Sequence, residues 1–201
     1  MVDVISDVQH WKHHRTATTN FLEWTPKYLA TCAALFLESR EEERYVAGGT
    51  ALEACYRTAI GNISQGCETD YGPVFSVLGK TFLSGIPLQQ AYDETATETG
   101  LSVRDIRTRA QSFHQAAGIA AGTFQRSPAL TQKGYYCLVP ESCEIGDEMW
   151  LIRGCRLPLA LRAPAQRSGK YRLVGSGYTE GVMKGEVFQW KGFQFGQVSL
   201  Y

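Results

Sequence analysis

The sequence predicts an α+β fold in which an N-terminal helical part packs on a small C-terminal antiparallel β-barrel or sandwich. Apolar residues recur at helical spacing before Thr131, and short alternating segments separated by turns follow it. Helices first and strands second are typical of an α+β domain and not of a wound α/β sheet. We therefore expect residues 1–130 to form the helical part and residues 131–201 the β part, together making one compact domain.

The composition excludes several classes of function. The chain has 201 residues, and its 20 lysines and arginines balance its 20 aspartates and glutamates. Zero net charge argues against a nucleic-acid-binding module, which usually carries a basic patch. No apolar run approaches the roughly 20 residues of a membrane span, and the N-terminus lacks the apolar core of a signal peptide. We therefore expect a cytoplasmic protein with no nucleic-acid partner and no membrane span, and the sequence leaves a homodimer open.

The first two helices are predicted from their ends and their apolar spacing. Residues 26–44 carry apolar side chains at helical intervals, and Pro26 suits a first-turn position. The second helix starts after Thr50, because Thr50 and Glu53 have the spacing of a capping box. Gly61 is placed to end it.

Three more helical segments follow. Residues 73–83 and 88–97 have short apolar patterns of helical period. The longest helix begins after Ser102, where Ser102 and Asp105 form another capping pair. Its apolar residues recur at alternating steps of three and four, which predicts one buried face. These residues are Val103, Ile106, Ala110, Phe113, Ala117 and Ala120.

Short strands are predicted after Thr131. They span residues 135–139, 148–153, 156–162, 171–175, 182–188 and 193–200. The segments between them are rich in glycine, proline and polar residues, which favour turns. Strands at such short and regular intervals are typical of a small antiparallel barrel or sandwich.

Two stretches of the β part carry a series of motifs in a fixed order. The first is TQKGYYCLVPESCEIGDEMWLIRGCRLPLALR and the second is YRLVGSGYTEGVMKGEVF. They resemble the C-terminal region of fungal heterokaryon-incompatibility (HET) proteins. The upstream segment ALEACYRTAIGN is similar to a helix of the same region. The matching positions are Thr131, Gly134, Tyr135, Pro140, Gly146, Asp147, Gly154, Pro158, Leu161, Arg162, Tyr171, Gly175, Tyr178, Gly181, Met183, Gly185 and Glu186.

The resemblance concerns the C-terminal module alone. Full-length HET proteins carry an N-terminal signalling HET domain, and no segment of this sequence corresponds to it. We therefore expect a tail module that stands without that domain. The resemblance does not by itself imply incompatibility signalling.

The glycine-rich segment from Lys170 to Phe188 is interpreted as turns of a small β-structure. A phosphate-binding loop would have to lead into a helix, whereas this segment continues with strand-like residues. Glu180 and Glu186 are not interpreted as an acid–base pair, because nothing in the sequence fixes their separation. Glu186 is expected to cap a turn or to pair with an arginine.

No metal site and no cofactor is predicted. His10, His13 and His14 have helical spacings, but a third ligand is missing, so we interpret them as part of a mobile polar N-terminal segment. The six cysteines lack the spacings of zinc ribbons and thioredoxin-like sites. Cys155 lies between two arginines and is interpreted as a half-buried structural cysteine.

The β part is rich in aromatic and arginine side chains, which fits either a ligand pocket or a core packed against the helices. If they form a pocket, the candidate catalytic donors are Arg57, Tyr135, Arg153 and Tyr178. The candidate substrate-binding residues are then Trp150, Tyr171, Met183 and Glu186.

Two functions fit these observations. The first is a cofactor-free enzyme of fungal secondary metabolism that binds a small hydrophobic polyketide or terpenoid and steers its cyclisation or rearrangement, as a Diels-Alderase or isomerase does. It requires an enclosed apolar cavity between the helices and the β part. The second is a non-enzymatic interaction or regulatory module derived from HET proteins, which requires an exposed apolar patch and a protein partner. The sequence favours the first and leaves the second open.

Overall fold

Five α-helices precede most of the strands. The computed structural model describes residues 3–9, 21–37, 43–61, 70–82, 84–124, 126–164, 170–191 and 195–201. Within these ranges the helices are α1 (Phe21–Leu37), α2 (Ala51–Ala59), α3 (Gly72–Phe82), α4 (Leu88–Thr99) and α5 (Val103–Phe124).

The predicted helix caps are confirmed. Thr50 Oγ1 accepts a hydrogen bond from Glu53 N at 3.2 Å, and Glu53 Oε2 accepts one from Thr50 N at 3.2 Å. Ser102 Oγ likewise accepts a hydrogen bond from Asp105 N at 3.1 Å. These bonds satisfy backbone N–H groups that have no partner inside the helix. They therefore fix where α2 and α5 begin.

The first helix differs from the prediction at both ends. It begins at Phe21, so Pro26 lies in its second turn and not in its first. The predicted extension to residue 44 is wrong, because Arg44 forms an antiparallel bridge with Thr50. Between them Gly48, with a φ of 99°, reverses the chain. The tight turn at residues 45–49 therefore leads into α2.

Eight strands of the described residues form one curled sheet, so the α+β class is confirmed. From edge to edge the order is β7, β3, β2, β1, β4, β5, β6, β8, and all neighbours are antiparallel except β6 and β8. The strands are β1 (Asp3–Val8), β2 (Arg126–Thr131), β3 (Tyr136–Pro140), β4 (Glu148–Trp150), β5 (Leu159–Arg162), β6 (Lys170–Ser176), β7 (Tyr178–Thr179) and β8 (Ser199–Leu200).

Two strands lie in the part that the sequence assigns to helices. β1 comes from the N-terminus and occupies the centre of the sheet, between β2 and β4. Its pairing with β2 is irregular between Ile5 and Asp7, so its side chains do not follow a simple alternation. β2 begins at Arg126, before the predicted change at Thr131. The division between helices and strands is therefore less sharp than the sequence suggests.

The predicted strand at residues 182–188 is wrong. The chain there forms turns followed by a short 3-10 helix, Glu186–Gln189. Gly181 and Gly185 have φ values of 82° and 85°, which are left-handed and interrupt an extended chain. The last predicted strand is reduced to β8, and Phe193 lies outside the described residues.

β3 separates two cores. Tyr136 and Leu138 face the helices and join a cluster of buried aromatic and aliphatic side chains there. Tyr135, Cys137 and Val139 face the inside of the curled sheet. This alternation follows the two-residue period of a strand. β3 therefore ties the helical core to the sheet interior.

A glycine corner lets the sheet curl back on itself. β6 pairs with β5 and β7 pairs with β3, yet only Gly177 separates β6 from β7. A Cβ at Gly177 would lie 2.9 Å from Met149 Cε and 3.1 Å from the Leu138 carbonyl oxygen. Glycine is typical of such a close corner, since a side chain here would press on the Met149 methyl group and on the Leu138 carbonyl oxygen.

We predict that Gly177→Ala destabilises the protein by about 2 kcal/mol, because the neighbouring strand must move to admit a methyl group. Gly196→Ala is the matched control, since a Cβ at Gly196 meets nothing within 4 Å and its backbone is not left-handed. Urea unfolding followed by circular dichroism measures both variants. Equal midpoints for the two would contradict the role given to this corner.

Candidate functional site

Glu180 joins the helical part to the sheet. Its carboxylate accepts hydrogen bonds from Arg57 Nε of α2, at 2.6 Å, and from the Tyr178 hydroxyl of β7. Its backbone carbonyl accepts one from the Tyr45 hydroxyl at 3.1 Å, and that hydroxyl accepts one from Tyr136 N at 3.0 Å. Two of the four predicted catalytic donors, Arg57 and Tyr178, are therefore brought together by a carboxylate.

The groups around Glu180 are largely shielded from water. The Glu180 side chain is 11% exposed and that of Arg57 is 34% exposed. Burial raises the pKa of Tyr178, and the neighbouring Glu180 carboxylate raises it further. Burial also raises the pKa of Tyr45. Both phenols therefore stay protonated near neutral pH and serve as hydrogen-bond donors, which holds the carboxylate in one position.

The position of Glu180 follows from the local sequence. Tyr178 and Glu180 are two residues apart on an extended chain, so their side chains lie on the same face. Gly181 comes next, and a Cβ there would overlap Ala47 Cβ in the turn before α2. This close approach holds the turn, and with it α2 and Arg57, against the sheet.

A groove of about 330 Å³ lies at one end of the curled sheet. It is bordered by the loop between β4 and β5 and by the turns that follow Glu180. Arg153 and Met183, two of the predicted site residues, contribute to it. Its apolar lining consists of Leu151, Ile152, Val182, Met183, Val187, Phe188 and Phe195.

Among the described residues, the polar side chains of the groove are Arg153, Cys155 and Arg156, and no acidic side chain lines it. Cys155 is exposed, so its interpretation as a half-buried structural cysteine is wrong. The other four thiols that the structure describes are buried, and burial raises the pKa of Cys32 and of Cys137 to about 12. Those two thiols therefore stay protonated and are poor nucleophiles near neutral pH.

Three other candidate residues lie away from both the Glu180 network and the groove. Tyr135 faces the sheet interior, with its ring centroid 5.6 Å from that of Trp190. Trp150 and Tyr171 form an edge-to-face pair with centroids 5.5 Å apart. Trp150 Nε1 also donates a hydrogen bond to Glu148 Oε2 at 2.9 Å. These aromatic side chains pack on one another and do not border the groove.

The eighth candidate, Glu186, caps a turn as the sequence predicts. Its Oε2 accepts a hydrogen bond from Lys184 N at 2.7 Å. The eight candidates therefore fall into separate places and do not converge on a single pocket. The segment from Tyr178 to Phe188 connects two of these places, since it begins at the Glu180 network and ends in the groove.

Sequence reasoning misses the pairing of Glu180 with Arg57 and the part that Phe188 plays in the groove. The two-residue spacing of Tyr178 and Glu180 is a signal that both face the same neighbour. No comparable signal marks Phe188, because its place depends on the turns at Gly181 and Gly185.

A second cleft, of about 510 Å³, lies where α1 and the turn before α2 meet β2 and β3. It corresponds in location to the enclosed apolar cavity expected from the sequence. It is open to solvent, however, and Glu43, Arg44 and Lys133 line it. None of the eight candidate residues borders it.

The described residues contain no group of three or more His, Cys, Asp or Glu side chains able to hold a metal ion. His10, His13 and His14 lie outside the described residues. No helix within the described ranges has the length and apolar character needed to cross a membrane.

Residues 87–192, just over half of the chain, match the family model of the Het-6 beta-barrel domain. The chain belongs to this family. The resemblance to the C-terminal region of HET proteins is thereby confirmed. Searches of the curated proteins and of the solved structures returned no match.

The Het-6 barrel match covers α4, α5, the strands from β2 to β7 and nearly all of the groove. Two important elements lie before it. β1 fills the centre of the sheet, and α2 supplies Arg57 to Glu180. The Het-6 barrel of this chain is therefore completed by residues outside the matched range.

We predict that Arg57 and Glu180 are energetically coupled by about 1–2 kcal/mol, since their contact is short and mostly buried. The measurement is a double-mutant cycle of urea unfolding with Arg57→Gln, Glu180→Gln and the combined variant. Glu186→Gln is the control, because glutamine can still accept the bond from Lys184 N. Additive effects of the two substitutions would show that the pair contributes nothing as a pair.

Proposed function

We propose that this Het-6 barrel binds a small, mainly apolar organic molecule in the groove and promotes its cyclisation or rearrangement without a cofactor. The observation that carries the proposal is the groove itself. Its volume of about 330 Å³ falls in the range of small-molecule sites, and seven of its lining side chains are apolar. The mouth of a barrel-like sheet is also a frequent place for such sites.

The chemistry would come from shape and from a few donors. A flexible molecule held between Met183, Phe188 and Phe195 is restricted to folded conformations, which removes part of the entropic barrier to ring closure. The Arg153 guanidinium donates to an oxygen on which negative charge develops. A reactive polyketide or terpenoid of fungal secondary metabolism has the required size and apolar character. The reaction would take place in the cytoplasm.

Arg57 and Tyr178 receive a different role in this proposal. Arg57 Nε and the Tyr178 hydroxyl both donate to the Glu180 carboxylate, and this network holds the chain that leads into the groove wall. We therefore treat Arg57, Tyr178 and Glu180 as positioning residues.

We predict that N-phenyl-1-naphthylamine, a neutral dye that fluoresces in apolar surroundings, binds with one site per chain. Phe195→Ala should weaken its binding about tenfold, because a large contact surface in the groove is lost. Leu173→Ala is the control, since Leu173 is similarly apolar, 49% exposed and outside the groove. Equal affinities for wild type and both variants would overturn the proposed site.

Catalysis requires its own measurement. A linear triene tethered to an unsaturated ketone is a suitable test substrate, because it closes slowly in buffer to a mixture of stereoisomers. The wild-type protein should raise the rate and change the isomer ratio, and Arg153→Gln should lose most of that effect. Rate and isomer ratio equal to those in buffer would contradict catalysis of this reaction class while leaving binding to be judged by the dye.

Exposed aromatic side chains favour one alternative, an interaction or regulatory module. Phe188 and Phe195 are 64% and 66% exposed, and their ring centroids lie 6.4 Å apart. Exposed apolar side chains that lie together often mark a protein-binding surface. In that case a stoichiometric protein partner would be lost in the Phe195→Ala variant, and no small molecule would raise the melting temperature.

A further inference from the structure

The groove combines an apolar floor with a cationic rim. Arg153 and Arg156 are both exposed, and both border the groove. Gly154 lies between them with a φ of 90°, and Cys155 N donates to the Ile152 carbonyl at 2.9 Å. This tight turn keeps the two arginines at the same rim.

The two arginines lack an acidic partner among the described residues. Arg57, Arg109 and Arg162 each contact a carboxylate within 4.0 Å, whereas no such contact is formed by Arg153 or Arg156 in the described ranges. In the part of the chain that the structure describes, no aspartate or glutamate lines the groove either. Since the chain as a whole has zero net charge, the groove is a local excess of positive charge.

We propose that the groove selects an amphipathic organic acid, whose acidic group is bound by Arg153 and Arg156 while its apolar part lies against Met183, Phe188 and Phe195. This inference rests on the proposed small-molecule function and specifies its ligand class. Guanidinium groups form short, charge-assisted hydrogen bonds with carboxylates and similar oxyanions. A neutral ligand would leave the rim without a partner, and a cation would be repelled by it.

Size favours a small molecule over a folded partner. A groove of about 330 Å³ holds one compact organic molecule, whereas a protein interface usually involves 20–30 residues on each side. The apolar floor also distinguishes the ligand from a free inorganic anion, which would gain nothing from Phe188 or Phe195. The ligand class therefore needs both an acidic group and an apolar body.

Two matched dyes test the inference. 8-Anilinonaphthalene-1-sulfonate has the same ring system as N-phenyl-1-naphthylamine and adds one sulfonate. We expect the wild-type protein to bind the sulfonated dye about tenfold more tightly than the neutral dye at low salt. Added salt should weaken the binding of the sulfonated dye only. Arg153→Gln/Arg156→Gln should remove this preference while changing the affinity for the neutral dye less than twofold. Arg104→Gln/Arg172→Gln is the control, because it removes the same charge from exposed positions outside the groove.

The outcomes separate this inference from the function on which it rests. Equal affinities for the two dyes, both lowered by Phe195→Ala, would overturn the acid preference and leave the groove as a neutral site. A sulfonate preference that both arginine double variants reduce equally would also overturn it, because the effect would then be one of net charge. If neither dye responds to Phe195→Ala, the proposed function and the inference both fail.

Discussion

The fold depends on one buried carboxylate, that of Glu180. It receives Arg57 from α2 and the hydroxyl of Tyr178 from β7, while its backbone carbonyl receives Tyr45 from the turn before α2. Arg57 and Tyr45 lie 123 and 135 residues from Glu180 in the sequence, whereas Tyr178 is a local neighbour. A buried carboxylate without such partners would be strongly unfavourable, so the helices and the sheet are held in one arrangement.

This constraint extends to the groove along the chain. Gly181 packs on Ala47 directly after Glu180, and Val182 and Met183 then enter the groove wall. This part of the groove wall contains little regular secondary structure, because it consists of turns and the 3-10 helix Glu186–Gln189. Its shape therefore depends on the contacts at its two ends. In this account the Glu180 network holds the groove wall in place, and the groove binds the ligand.

The sequence predicts what local chemistry decides and misses what distant contacts decide. The caps at Thr50 and Ser102 and the fold class could be predicted, because each follows from residue spacing. β1 could not, since a bulge breaks its alternation and its partners lie more than a hundred residues away. The Arg57–Glu180 pair could not be predicted either, because its two residues lie 123 positions apart, although Arg57 and Tyr178 are both candidate residues. Arg153 and Met183 were placed in one groove only by the turns at Gly154 and Gly181.

Hydrogen exchange of the wild type and of Glu180→Gln measures directly whether the carboxylate holds the groove wall. The amides to follow are Val182, Phe188 and Trp190, which donate to carbonyls within the same segment. The account predicts that they exchange at least several-fold faster in the variant, while the amides in the first half of α5 keep their wild-type rates. Unchanged exchange at these three amides in a folded variant would show that the groove wall stands independently of Glu180.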